Sequence, residues 1–190
     1  MTVACLVPTI PAHSQFIDPA VESLYAQVYP SDWDVLIRID GAQGSLGNKL
    51  NAMVQSCLDA NPETGYFVLT DSDDIHHPDR IRKQVQPLID TPKLLITGTS
   101  ILVYQDVSNG EVWQYRGLNS TWIGGLAFRV DAWKAHHFED ISAGTDTNWQ
   151  RKFAPDTKLD LLDGSLMLCG IHAANTCRKH TVGREWSRLQ

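Results

Sequence analysis

Between residues 3 and 88 the chain alternates short apolar runs with stretches whose apolar residues recur at helical spacing, and this alternation most constrains its fold. Residues 3–7 are an apolar run closed by Pro8, the pattern of a buried strand entering a loop. Asp18-Pro19 reads as a helix start, with Val21, Leu24, Tyr25 and Val28 as the apolar stripe and Pro30 as the stop. Residues 35–39 form a second β-branched run ending at Asp40-Gly41. Leu46, Leu50, Met53, Val54, Cys57 and Leu58 make the clearest helical stripe, opened by Ser45 and closed by Asn61-Pro62. A third strand, residues 66–70, runs straight into Asp71-Ser72-Asp73-Asp74. Pro78 then opens a helix carrying Ile81, Val85 and Leu88, which Pro87 is expected to distort or end. Strands separated by helices in this way imply an α/β sandwich of three layers with a mostly parallel central sheet.

The later sequence is less regular. Residues 94–104 read as extended, and residues 112–115 pair back on them around Asn109-Gly110. A strand at residues 125–130 and short helices near 131–137 and 145–153 follow. A length of 190 residues with no repeat or linker fits one domain, residues 1–190. With 43% hydrophobic and 20% charged residues, global disorder is excluded. The net charge of −6 argues against a surface built to coat nucleic acid, while leaving room for a local basic patch.

Cys5, Cys57, Cys169 and Cys177 lack paired metal-ligand spacing, and Cys5 and Cys57 sit in apolar runs as buried thiols do. The pairs His76-His77 and His136-His137 lack the spacing of a zinc site and read as solvated. Without a disulfide framework, a leader or a bilayer-length apolar stretch, a soluble cytoplasmic protein is expected.

In open parallel sheets ligands bind beyond the carboxyl ends of the strands, where Asp40 and residues 71–74 both fall. Three carboxylates within four residues repel one another unless solvent, hydrogen bonds or a cation compensates. Hard oxygen ligands suit Mg²⁺ or Mn²⁺, which commonly bridge carboxylates to phosphates. The competing reading is a solvated acidic turn at the start of the next helix.

Val7-Pro8-Thr9, Asp40, Asn51 and the segment from Leu69 through Asp74 occur in the order found in family 2 glycosyltransferases of the GT-A fold. Ser23-Leu24, Gln27 and Tyr29-Pro30 also resemble that family's first helix. The resemblance covers about residues 3 to 153 and extends weakly to residue 176. It implies a GT-A-like sandwich with a Rossmann-like nucleotide-sugar-binding half (residues 1–104), an acceptor-side half (105–176) and a basic tail (177–190). By that resemblance Pro8 and Thr9 lie along the nucleotide base, and Asp40 accepts a hydrogen bond from it, typically from uracil. Asp40-Gly41 stands where many members have two acids, and an ordinary turn is the alternative.

Asp71-Ser72-Asp73 matches the DXD motif, so the resemblance assigns Asp71 to the ribose and Asp73 to the metal. Lys49 and Asn51 fall in the region of the family's Arg-Asn segment, with Lys49 either facing phosphate or solvated on its helix. The base that deprotonates an acceptor hydroxyl in inverting transfer corresponds to Asp146, with Asp140 as the alternative. Trp122, Gly124, Gly125 and Trp149 correspond to positions near donor sugar and acceptor. His172 resembles a late histidine that completes the metal site in some members, a surface histidine being the alternative.

The implied cofactor is Mn²⁺ or Mg²⁺ and the implied donor a nucleotide-sugar, with UDP-sugars foremost. The acceptor is open among saccharides, proteins, metabolites and hydroxymethylated DNA bases, which small viral enzymes of this fold glycosylate. Arg178, Lys179, Arg184 and Arg188 make the C-terminal stretch basic, either as a solvated tail or against phosphates. A nucleotidyltransferase would need a glycine- and lysine-rich loop after the first strand, which is absent, and no P-loop motif occurs. A non-catalytic nucleotide-sugar-binding module would keep Asp40, Asp71 and Asp73 without a working base.

Overall fold

The computed structural model describes residues 1–117, 124–175, 179 and 181–189. The central sheet has six strands: β1 (Thr2–Pro8), β2 (Asp34–Asp40), β3 (Thr64–Leu69), β5 (Ile96–Thr99), β8 (Gly124–Arg129) and β9 (Lys158–Asp160). Their order is β2-β1-β3-β8-β5-β9, with β8 antiparallel to both neighbours and the remaining pairs parallel. β1 is buried almost throughout, and its side chains alternate between two cores as the two-residue strand period requires. Ala4 and Leu6 pack with Leu50, Met53 and Val54 of α2 (Leu46–Ala60), and with Phe128 and Trp149. Val3, Cys5 and Val7 pack on the other face with Leu24 of α1 (Ile17–Tyr25) and with Ile81, Val85 and Leu88 of α3 (Arg80–Asp90). This is the three-layer α/β arrangement expected from the alternation.

A second sheet, in the order β11-β7-β6-β10-β4, stands beside the first. It comprises β4 (Asp74–His76), β6 (Ile101–Asp106), β7 (Val112–Arg116), β10 (Met167–Ile171) and β11 (Trp186–Leu189). The pairing of β6 with β7 follows the turn expected at Asn109-Gly110, where Gly110 has φ +76. The extended run at 94–104 is divided between the sheets, because Ser100 separates β5 from β6. Residues 186–189 pair with β7, so this part of the basic C-terminal stretch is sheet and not a loose tail.

Ser45 caps α2 as expected, its Oγ accepting from the Asn48 N–H at 3.2 Å. Asp18 does not cap α1; it lies in the first turn, and the helix ends at Tyr25, leaving Val28 outside and exposed. Gln27 replaces the expected apolar anchor: its amide donates to the His77 carbonyl and accepts from the Ile81 N–H. Pro87 neither ends nor interrupts α3, which runs on to Asp90. His76 is 3% exposed, contrary to the solvated reading, because β4 carries it into the interface below the acidic cluster. His136 and His137 are exposed as expected. The helices α4 (Val130–Ala135) and α5 (Thr145–Gln150) cover the first core.

Candidate active site and metal centre

The acidic segment is aimed by the end of β3. Both the N–H and the Oγ1 of Thr70 donate to the Leu6 carbonyl, at 3.0 and 2.9 Å, which holds residue 70 against β1 as the chain leaves the sheet. Asp74 then enters β4, where its carboxylate accepts from the Gly170 N–H at 3.2 Å. Asp73 is left between two histidines. His172 Nε2 lies 3.0 Å from Asp73 Oδ2, and His13 Nε2 lies 3.7 Å from the same oxygen. Ligand atoms of His13, Asp73 and His172 all fall within 4.8 Å of one another, a donor set of two imidazoles and a carboxylate that fits one divalent cation. Asn175 donates to Asp73 Oδ2 at 3.2 Å, and Phe16 stacks on His172 with ring centroids 4.2 Å apart.

A cavity of about 390 Å³ opens in front of this cluster, beyond the carboxyl ends of β1 and β3. Pro8, Thr9, Lys49, Asp71, Asp73, Gly124, Gly125 and Asp146 all line it, so the fold brings together most of the residues that the sequence singles out. Lys49 is 7% exposed and not a solvated helix lysine; its Nζ donates to the Thr9 carbonyl at 2.8 Å. Gly125, at φ +57, takes a conformation that suits glycine, and a Cβ there would meet Met167 at 2.1 Å. Lys179, from the basic stretch, also lines the cavity, with its Nζ 5.4 Å from the Tyr104 ring centroid.

The electrostatics follow from crowding. Asp71 is open to the cavity yet surrounded by protein, and desolvation together with Asp73 and Asp146 pushes its carboxyl up to about 6. Burial raises Asp146, and donors around Thr147 and the Lys179 charge offset this only in part. Burial and its acidic neighbours Asp71 and Asp73 also raise Asp74 well above the ordinary carboxylate range. Beneath them Arg80 is 1% exposed and donates to the Leu69 carbonyl at 2.6 Å, to Gln84 at 2.9 Å and to His76 Nδ1. The buried guanidinium places a positive charge beside Asp71 and Asp74.

Other residues singled out in the sequence stand apart from the cavity. Trp149 is fully buried, its indole N–H donating to the His136 carbonyl at 2.6 Å, so it is core and offers no face to a substrate. The Asn51 amide is occupied by Trp133 and Phe138, to whose backbone and indole groups it bonds at 2.9 to 3.1 Å, and it braces α2 against residues 133–138. Asp140 accepts from Ser45 Oγ at 2.6 Å on the exposed surface. Asp40 accepts from the Ala42 N–H at 2.7 Å, closing the turn after β2 outside the cavity lining. Trp122 lies outside the described residues.

The sequence reading did not single out His13. The signal was its position, two residues after Pro11 in the loop that follows the first strand, but a lone histidine without a paired spacing carries little weight. Tyr104, Asn175 and Arg80 were missed because strand pairing and helix packing, not motif, bring them here.

No protein-family model matches the sequence, and no curated protein matches it. Among solved structures, TarS of S. aureus (residues 1–349, in complex with UDP-GlcNAc) aligns with a TM-score of 0.66 at 15% identity over 92% of this chain. A mannosyltransferase of Pyrobaculum calidifontis, PcManGT, in complex with GDP-Man and Mn²⁺, aligns with a TM-score of 0.57 at 15% identity over 91% of this chain. The chain spans 60% and 58% of those two chains, and 37% of a longer TarS structure. No helix among the described residues is long and apolar enough to cross a membrane. The likeness establishes the architecture: this chain has a GT-A-like α/β fold, with its acidic cluster and cavity at the carboxyl ends of the parallel strands.

Proposed function

We propose that the chain is a metal-dependent glycosyltransferase that moves a sugar from a nucleotide-sugar, a UDP-sugar foremost, to an acceptor hydroxyl with inversion. The observation that carries this reading is that Asp71, Asp73, Asp146 and Lys179 converge on one cavity whose rim holds a His/Asp donor set. TarS is solved with UDP and UDP-GlcNAc, and PcManGT with GDP-Man and Mn²⁺, which supports a nucleotide-sugar donor and favours Mn²⁺.

Asp73 and His172 would hold the ion, whose chemistry there would be to neutralise charge on the departing diphosphate. Lys179 adds a cation on the same side, and Lys49 fixes the Pro8-Thr9 loop through the Thr9 carbonyl. Asp71 faces the same space as an acceptor for a ribose hydroxyl. Asp146 takes the proton of the acceptor hydroxyl. The acceptor oxygen bonds to the sugar's anomeric carbon, and the bond from that carbon to the nucleoside diphosphate breaks. The raised pKa of Asp146 brings it nearer the working pH, which favours a base. Asp140, hydrogen-bonded to Ser45 outside the cavity lining, is the weaker candidate.

The test is nucleotide release from a panel of UDP- and GDP-sugars, with saccharides, small hydroxyl metabolites and hydroxymethylated duplex DNA as acceptors. Release that needs one donor, one acceptor class and Mn²⁺ supports the reading. If hydroxymethylated DNA is the acceptor, its binding weakens steeply with salt. Donor binding with no transfer to any acceptor, unchanged in Asp146→Asn, identifies a binding module instead.

A further inference from the structure

We propose that His13 is a protein ligand of the divalent ion, held in register by Ser72, and that this second imidazole turns the site's preference from Mg²⁺ toward first-row transition ions. The inference rests on the metal centre of the glycosyltransferase reading and adds to it a ligand from the opposite end of the chain.

His13 is 7% exposed, and its ring is fixed at both nitrogens. Nδ1 lies 3.1 Å from Ser72 Oγ, and Nε2 lies 3.1 Å from the Ala174 carbonyl while facing Asp73 Oδ2 at 3.7 Å. Without an ion, Nε2 carries the proton toward the Ala174 carbonyl and Nδ1 accepts from the Ser72 hydroxyl. Ligation through Nε2 needs the other tautomer, with Nδ1–H donating to Ser72 Oγ. A hydroxyl serves both arrangements, because it donates in one and accepts in the other after a rotation. Ser72, the middle residue of the Asp-Ser-Asp segment and 1% exposed, thereby acts as a positioning residue.

His172 lacks this freedom. The Ala174 N–H donates to His172 Nδ1 at 3.2 Å, and a backbone amide cannot reverse its role. His172 Nε2 therefore carries the proton and donates to Asp73 at 3.0 Å. Ligation by His172 requires the turn at residues 172–175 to shift, whereas ligation by His13 requires a hydroxyl rotation and release of the Ala174 carbonyl. His13 therefore joins Asp73 with the smaller rearrangement, and His172 completes the set once its turn shifts. Imidazole favours later divalent ions, whereas Mg²⁺ prefers oxygen and keeps its waters, so His13 contributes selectivity as well as affinity.

The experiment measures Mn²⁺ binding to the full chain without donor, by calorimetry and by Mg²⁺ competition, and counts coordinated imidazole nitrogens by spin-echo spectroscopy of bound Mn²⁺. The expected result is an imidazole signal in wild type that falls by one nitrogen in His13→Ala. Mn²⁺ affinity falls at least about tenfold in His13→Ala and about tenfold in Ser72→Ala, and Mg²⁺ competes more effectively in both. If His13→Ala does not fold, the nitrogen count in His13→Gln and the Mn²⁺ affinity of Ser72→Ala decide. Unchanged Mn²⁺ affinity in His13→Ala, alongside loss in Asp73→Ala, overturns the His13 assignment and leaves the donor site standing. Absence of Mn²⁺ binding by wild type, with or without a nucleotide-sugar, overturns both.

Discussion

Gly170 lies against Asp73 so closely that a Cβ on it would come within 2.9 Å of the Asp73 carbonyl oxygen and 3.3 Å of the His172 ring. The parallel pairing of β10 with β6 and its antiparallel pairing with β4 fix Gly170 there. The absent side chain is what lets Asp73 and His172, the two ends of the candidate metal centre, approach. Gly170→Ala is expected to push the Asp73 backbone and the His172 ring apart, and to lower Mn²⁺ affinity about tenfold or more. Overpacking of this kind costs about 1–3 kcal/mol, so circular dichroism should show a folded but less stable chain. Unchanged Mn²⁺ affinity would show that this contact does not set the site.

Asp146→Asn keeps the shape of the side chain and removes the proposed base. Turnover is expected to fall by a factor of about 10² to 10⁴, with donor affinity within about twofold of wild type by the same argument. Because burial raises the Asp146 pKa, the acidic limb of the wild-type rate profile should lie above the ordinary carboxylate range. The carboxyl is protonated, and the base lost, as pH falls through that raised value. A profile flat down to pH ~4 would count against Asp146.

Ser45 caps α2 through its bond from the Asn48 N–H, and α2 supplies Lys49 to the cavity. Ser45→Ala is expected to cost about 1 kcal/mol, a fall in melting temperature of about 2–4 °C for a domain of this size. Ser45→Gly should cost less, because the Ncap tolerates glycine. Equal melting temperatures for wild type and Ser45→Ala would contradict the cap.

Asp163 provides a pH test away from the site. Its partial burial pushes the carboxyl up, but bonds from Lys83 at 2.8 Å and from Ser165 outweigh that and hold it down, to about 2. An unfolded aspartate titrates near ~4, so this contribution is present above that pH and is lost as pH falls from ~4 to ~2. The pair is about a third exposed, so its worth is about 1 kcal/mol or less after screening. Lys83→Met should flatten the acid slope of urea-unfolding stability in that window, and an unchanged slope would show that the pair is inert.

The first three strands, α2 with its Ser45 cap, and the acidic strand end were legible because local pattern and tertiary demand agree there. β1 alternates into two cores, and residues 71–74 follow the carboxyl end of a central strand. Features made by long-range pairing were not legible. β4 and β10 are short, with nothing in their own sequence to announce them, yet their pairing buries His76 and brings Gly170 to Asp73. Trp149 misled for the opposite reason: an aromatic near Asp146 suggests a binding face, but α5 aims it inward against Phe128, Phe138 and Phe153. His13 carried no motif, and only the fold brings it across 159 positions of sequence to His172.

The most direct test of the central claim is calorimetric titration of nucleotide-sugars into wild type and Asp73→Ala, with Mn²⁺ and with EDTA. The account predicts that one donor binds wild type with Mn²⁺, and that binding drops sharply with EDTA and in Asp73→Ala. Failure of every UDP- and GDP-sugar to bind folded wild type in the presence of Mn²⁺ would contradict it.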